Sequence, residues 1–227
     1  MRLLLIRHGQ TPSNVGGTLD TAAPGPGLTT LGHRQAEAVP AALAEEEISG
    51  IYVSGLLRTH LTAAPLADAL GMTPSRHGGL DEISAGDMEG RTDPGAVLAY
   101  QECAVRWGHG DLDVRLPGGE DGHRFRRRYE AALRDVQATH GTDATVAVFS
   151  HAAAIRVYAA LAGDLEPATV ETMRLPNTGM VVLTGDLDSG WQVATWTEHP
   201  IGGAHLTGDL DHDVTADPDA APQGATV

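Results

Sequence analysis

Cysteine is almost missing: Cys103 is the only one in 227 residues, which rules out an intrachain disulfide and any metal site built from several thiolates. That usage fits a reducing, cytoplasmic compartment. Aromatic side chains are scarce as well, with two Phe, four Tyr and three Trp, so alanine, valine and leucine must fill most of the core. Positive charge is in short supply. Fifteen basic residues stand against thirty acidic ones, a formal net charge of -15, and that field repels nucleic acid and anionic lipid. It also opposes a small phosphorylated substrate, so a phosphate site would need its own cluster of cations. Long apolar runs are missing too. The first eight residues, Met-Arg-Leu-Leu-Leu-Ile-Arg-His, are too short for a signal core or a membrane span, and no later stretch reaches membrane length. Neither a membrane nor a nucleic acid is expected as a partner.

What the chain has is a repeated pattern of short apolar runs that stop at polar residues. Residues 3–6 end at Arg7-His8-Gly9, residues 51–53 at Ser54-Gly55, and residues 145–149 at Ser150-His151, the signature of buried parallel strands that end in loops. A helical pattern follows each: Leu31, Gln35, Val39 and Leu43; then Leu57, Leu61 and Ala64; then residues 152–161. Thr29 is a fitting cap for the first, and Pro40 and Pro65 should kink or shorten theirs. Phe125, Tyr129, Leu133 and Val136 mark a further amphipathic helix, and residues 180–183 and 192–196 read as later strands. Strands alternating with helices predict an α/β fold, a three-layer sandwich with a mostly parallel central sheet flanked by helices. One domain over residues 1–206 is expected. Within it, residues 90–122 form an excursion over the sheet edge that shapes the substrate site, and residues 207–227 form an acidic C-terminal tail.

Ligands of such sheets lie beyond the carboxyl ends of the strands, where Arg7-His8, the segment from Ser54 to Arg58, and His151 all fall. Two guanidinium groups and two imidazoles in one place suit phosphate, and helix N-termini after Ser54 and His151 would add N–H donors. Flanking positive charge should hold His8 neutral and nucleophilic. A carboxyl group is then needed as acid and base. Glu82 is the candidate, although spacing alone does not separate it from Asp81, Asp87 or Glu89. Arg124, Arg126, Arg127 and Arg128 read as a solvated helix face, while Arg106 and Arg115 of the excursion are the candidates for touching a second anionic group of a substrate. His199, His205 and His212 fit no ligand spacing, so no metal site is expected.

The string Arg7-His8-Gly9-Gln10-Thr11, with Asn14, Leu28-Thr29-Thr30-Leu31-Gly32 and Gln35-Ala36, resembles the histidine phosphatase superfamily, in its phosphoglycerate mutase-like branch. Ser54 to Thr59, Glu82 with Gly86, Glu89 and Gly90, Pro117-Gly118-Gly119-Glu120, Phe149-Ser150-His151 and Leu175-Pro176-Asn177 follow in the family's order. The resemblance implies a phosphoglycerate mutase-like fold and a phosphohistidine on His8. Arg7, Arg58 and His151 would hold the phosphoryl oxygens, Asn14 and Thr11 would add contacts, and Glu82 would act as acid and then base, with no metal or cofactor. Ala152 stands where relatives usually carry glycine, and Gly55 where proline is common. The expected activity is hydrolysis of a small phosphomonoester. A mutase is the alternative, although residues 89–94 lack the insertion pattern of primed mutases, and a non-catalytic phospho-ligand module is the weaker one. Assembly into a homodimer is left open.

Overall fold

The computed structural model describes residues 1–166, 169 and 172–208, so the expected acidic tail from residue 209 onward, with His212, lies outside the described residues. Six strands form one sheet: β1 (Arg2–Arg7), β2 (Ile48–Val53), β3 (Ser75–Arg76), β4 (Thr145–Ser150), β5 (Met180–Asp186) and β6 (Gly190–Trp196), in the order β3-β2-β4-β1-β5-β6. β1, β4, β2 and β3 pair in parallel, and β5 alone runs against its neighbours β1 and β6. Helices among the described residues are α1 (Pro12–Gly16), α2 (Thr30–Ala42), α3 (Leu57–Leu70), α4 (Pro94–Gly108), α5 (Gly122–His140) and α6 (Ala152–Ala162). Among the described residues no helix is long and apolar enough to cross a membrane.

The continuous apolar run in β1 is explained by burial on both faces. Leu3 and Leu5 join one core with Phe125, Tyr129 and Leu133 of α5 and Ile155 of α6, whereas Leu4 and Ile6 join the other with Val39 of α2 and Ala63, Leu66 and Ala67 of α3. Alternating side chains thus feed two separate cores, which is the three-layer arrangement.

Two expectations change. α2 passes through Pro40 for two residues and α3 runs five residues past Pro65; the buried Val39, Leu66 and Ala67 supply packing that outweighs the backbone hydrogen bond each proline forfeits. The excursion is largely helical. α4 packs against α6, and Trp107 stacks on Phe125 with ring centroids 5.7 Å apart, so this segment thickens one helical layer. Its Cys103 is buried, which pushes the thiol up to about 11.

The segment after β1 is held tightly against α2. Thr29 caps α2 through Gly32 N at 3.0 Å, and a Cβ on Gly32 would meet Gln10 O at 2.2 Å. Only glycine lets the two backbones approach this closely. Gln35 Oε1 accepts Gln10 N at 2.8 Å from the same helix.

Candidate functional site

Three adjacent parallel strands, β2, β4 and β1, release the chain at Ser54, His151 and His8. His8 N donates to Ser150 O at 3.1 Å, so the ends of β1 and β4 stay paired and their histidines face each other with ring centroids 5.3 Å apart. Both side chains are buried.

The two imidazoles are anchored through opposite ring nitrogens. His8 Nδ1 lies 2.8 Å from Gly9 O; a carbonyl can only accept, so Nδ1 carries the proton and Nε2 keeps its lone pair. His151 Nε2 lies 2.8 Å from Ser54 Oγ, which lies 3.0 Å from Thr59 Oγ1, which donates to Leu56 O at 2.8 Å. Two hydroxyl protons cannot fill three contacts, so the third comes from His151 Nε2. Its Nδ1 then holds a lone pair and has no hydrogen-bond partner among the described residues.

The sequence brings cations to this place from two elements. Arg7, the last residue of β1, is fully buried and donates Nη1 to Leu175 O at 2.9 Å. Arg58, in the first turn of α3, donates Nη2 to Asp20 O at 2.9 Å, and its Nη1 stands 3.7 Å from Asp20 Oδ1. Nε and Nη1 of Arg58 have no hydrogen-bond partner among the described residues, which leaves forked donors for an oxyanion. Burial, then Arg58, then Arg7 lower the pKa of His8 well below the ordinary histidine value; burial, then Arg58, then His8 do the same for His151.

Glu82 is the carboxylate that reaches this cluster. It is buried beside Arg58 and seated on the start of α6: Oε1 accepts Ala154 N at 2.8 Å and Ile83 N at 3.0 Å, and Oε2 accepts Ala153 N at 3.4 Å. Burial raises its pKa, opposed by these N–H bonds and by Arg58. Of the other candidates, Asp81 Oδ1 accepts Gly55 N at 2.5 Å, and Glu89 is spent on Thr21 N, Thr21 Oγ1 and Ala22 N. The use of Gly55 N explains its departure from proline, which has no N–H to give.

Thr11 and Asn14 form a capping box on α1, with Thr11 N donating to Asn14 Oδ1 at 2.9 Å and Asn14 N to Thr11 Oγ1 at 3.3 Å. Asn177, beyond Leu175-Pro176, ties this box to the end of β1: its Nδ2 donates to His8 O at 3.1 Å and Asn14 Oδ1 at 3.2 Å. Arg106 and Arg115 are not brought in. Arg106 pairs with Asp111 at the exposed end of α4, and Arg115 is exposed in a bridge to Asp121.

Arg128 corrects the reading of a solvated basic face. Its guanidinium is largely buried, pairs with Glu120 at 2.6 Å, and donates to Gly79 O, Asp81 O and Glu82 O at 2.9, 2.8 and 3.0 Å. It fixes the turn that presents Glu82. Sequence reasoning also missed Tyr100, whose hydroxyl donates to Ile83 O at 3.2 Å, and Asp20, the partner of Arg58. Neither had a visible signal, because Tyr100 lay in an apolar helical stripe and Asp20 in a loop.

Burial of both imidazoles has a cost at low pH. Their folded values lie below the ordinary 6.5, so beneath that pH the unfolded chain binds more protons than the folded one, and stability falls. Each histidine contributes a slope of about 1.4 kcal/mol per pH unit until its folded value is reached. Urea midpoints measured between pH 7.5 and 5.5 should decline, and His151→Gln should decline less steeply. Glu82, shifted upward, acts with the opposite sign, so the difference between wild type and variant isolates the imidazole. Parallel slopes would refute the assignment.

The comparisons with known proteins bear on the family. A PE-PGRS family protein of Mycobacterium tuberculosis is 38% identical over 225 residues, covering 92% of this chain, and the chain spans 38% of that protein's length. Phosphoserine phosphatase 1 of Hydrogenobacter thermophilus is 32% identical over 168 residues, 72% of this chain and 77% of that one. A probable phosphoglycerate mutase of Yersinia enterocolitica is 28% identical over 91% of this chain and 95% of its own. Among solved structures, a mycobacterial glucosyl-3-phosphoglycerate phosphatase in complex with VO3 superimposes with a TM-score of 0.72 at 27% identity, covering 86% of this chain and 98% of that one. Residues 3–199 match the histidine phosphatase superfamily, branch 1, and with the paired histidines at the ends of β1 and β4 the chain belongs to that superfamily.

Proposed function

We propose that the chain hydrolyses a small phosphomonoester in the cytoplasm through a phosphohistidine on His8. The observation that carries this reading is the free lone pair on His8 Nε2, held by the Nδ1 bond to Gly9 O beside Arg7, Arg58 and His151. In the first step Nε2 attacks phosphorus, the ester P–O bond breaks, and Glu82 gives its proton to the departing alkoxide oxygen. In the second, Glu82 takes a proton from water, the hydroxide oxygen bonds to phosphorus, and the P–N bond returns its electron pair to the ring. Arg7 and Arg58 stabilise the charge that spreads over the equatorial oxygens. An arriving phosphoryl dianion raises the proton affinity of His151, so that Nδ1 takes a proton from solvent and donates it in a hydrogen bond to an oxygen. Neither nucleic acid nor membrane is assigned a part.

Rapid quench of labelled substrate into alkaline detergent is the test. Acid-labile, base-stable label on the peptide containing His8 is expected, and label on another residue overturns the reading. The raised pKa of Glu82 keeps it protonated above the usual carboxylate range, so kcat/KM should decline as pH rises through its folded value. Glu82→Gln should cost about 10²- to 10⁴-fold on an alkyl phosphate and remove that decline. On p-nitrophenyl phosphate, whose leaving group needs no proton, the loss should be far smaller; equal losses on both substrates would remove Glu82 from the role. Because relatives include a probable phosphoglycerate mutase, isomerisation of phosphoglycerate with and without 2,3-bisphosphoglycerate decides between hydrolase and mutase.

A further inference from the structure

Beside Glu82 lies an open cleft of about 400 Å³ between the loop at Thr21–Ala23, the turn at Gly118–Gly119, and the first two turns of α5. Its position follows from the machinery already described. The loop that forms one wall begins at Asp20, the partner of Arg58, and Glu82 itself forms part of the inner wall. An acid that protonates a leaving oxygen must have the leaving alcohol on its own side, so the cleft is where that alcohol lies.

The lining is strongly selective in its chemistry. Threonine, serine, alanine and glycine alternate with Asp81, Glu120, Arg124 and Arg128, and no aromatic or branched aliphatic residue lines the cleft. An aryl or nucleobase group finds nothing there to stack on. The two cations differ. Arg128 is consumed by Glu120 and three carbonyls; Arg126, its neighbour in the run, is held by Glu130. Arg124 is exposed, lines the cleft, and forms no ion pair among the described residues. On a chain of net charge -15, an uncommitted guanidinium beside the acid is the local attraction that a second anionic group needs.

We propose that this cleft binds the alcohol part of the substrate and that Arg124 recognises a carboxylate or second phosphate on it, so that the preferred substrates are phosphomonoesters of small, polar, anionic alcohols. The assignment rests on the hydrolase reading and deepens it. It also replaces Arg106 and Arg115 with a different arginine for the same task.

The test compares 3-phosphoglycerate, glycerol 3-phosphate and phenyl phosphate as substrates of wild type, Arg124→Gln, Arg124→Glu, Arg115→Ala and His8→Ala. Wild type should favour 3-phosphoglycerate. Arg124→Gln should lower kcat/KM for that substrate about tenfold, mostly through KM, as expected for loss of one charge-assisted hydrogen bond, and should leave glycerol 3-phosphate within about twofold. Charge reversal should lower it further, and Arg115→Ala should change nothing. No preference for the anionic probe, or a uniform effect of Arg124→Gln on all three beside an inactive His8→Ala, overturns the cleft assignment alone. Continued turnover by His8→Ala means the reading of the reaction has failed, and this inference with it.

Discussion

His8→Ala should lower kcat/KM by about 10⁴-fold or more while inorganic phosphate or vanadate still binds within about tenfold of wild type. The first half follows from the proposed chemistry, in which His8 Nε2 bonds phosphorus, whereas His151, tethered through Nε2 to Ser54, takes a proton on Nδ1 and holds an oxygen. The second half follows from the arginines, which approach the site from β1 and α3 and are held by backbone carbonyls outside β1. Arg7 donates to Leu175 O and Arg58 to Asp20 O. Isothermal titration with phosphate and stopped-flow turnover on one preparation check both halves. More than about one per cent residual activity, or lost binding along with lost turnover, would contradict the division of labour between nucleophile and cations.

Arg58→Ala should cost on the order of 10³-fold in kcat/KM, and Arg58→Lys should restore little of it. Lysine keeps the charge but loses the planar fork that spans Asp20 O and the oxyanion together. A loss this large could also come from misfolding, so a second readout is needed. Arg58 is the largest charge effect holding the pKa of His8 down, after burial. Removing it must raise that pKa, and the acid limb of kcat/KM must move to higher pH, as must the ring titration seen by NMR. An unshifted limb beside a large loss would mean that Arg58 acts on the fold rather than on the nucleophile.

The sheet was readable from the chain because each central strand is buried on both faces and stops at a polar residue, as β1 does at Arg7 and β4 at Ser150. The gathering of Arg7, His8, Arg58 and His151 was readable for the same reason, since parallel strands end on the same side. Glu82 needed the family's motif order, because loop carboxylates carry no period. Arg128 was misjudged for a related reason. Its hydrogen-bond partners include three backbone carbonyls more than forty residues away in sequence, and a carbonyl has no letter in the alphabet of side chains. Arg106 and Arg115 were chosen for their place in the excursion, and the packing of α4 on α6 turns that segment's inner face into core, leaving both at the rim.

The seat of Glu82 on the first amides of α6 bears on the proposed cycle. A carboxyl group in a dry pocket resists giving up its proton, yet the positive end of a helix is already aligned to receive the resulting anion. In the proposed cycle, shedding the proton to the alcohol and recovering one from water both fall to a group already seated on Ala153 N and Ala154 N. Under the proposed mechanism the two half-reactions therefore call for no backbone rearrangement around this group, only the replacement of an alcohol by a water molecule.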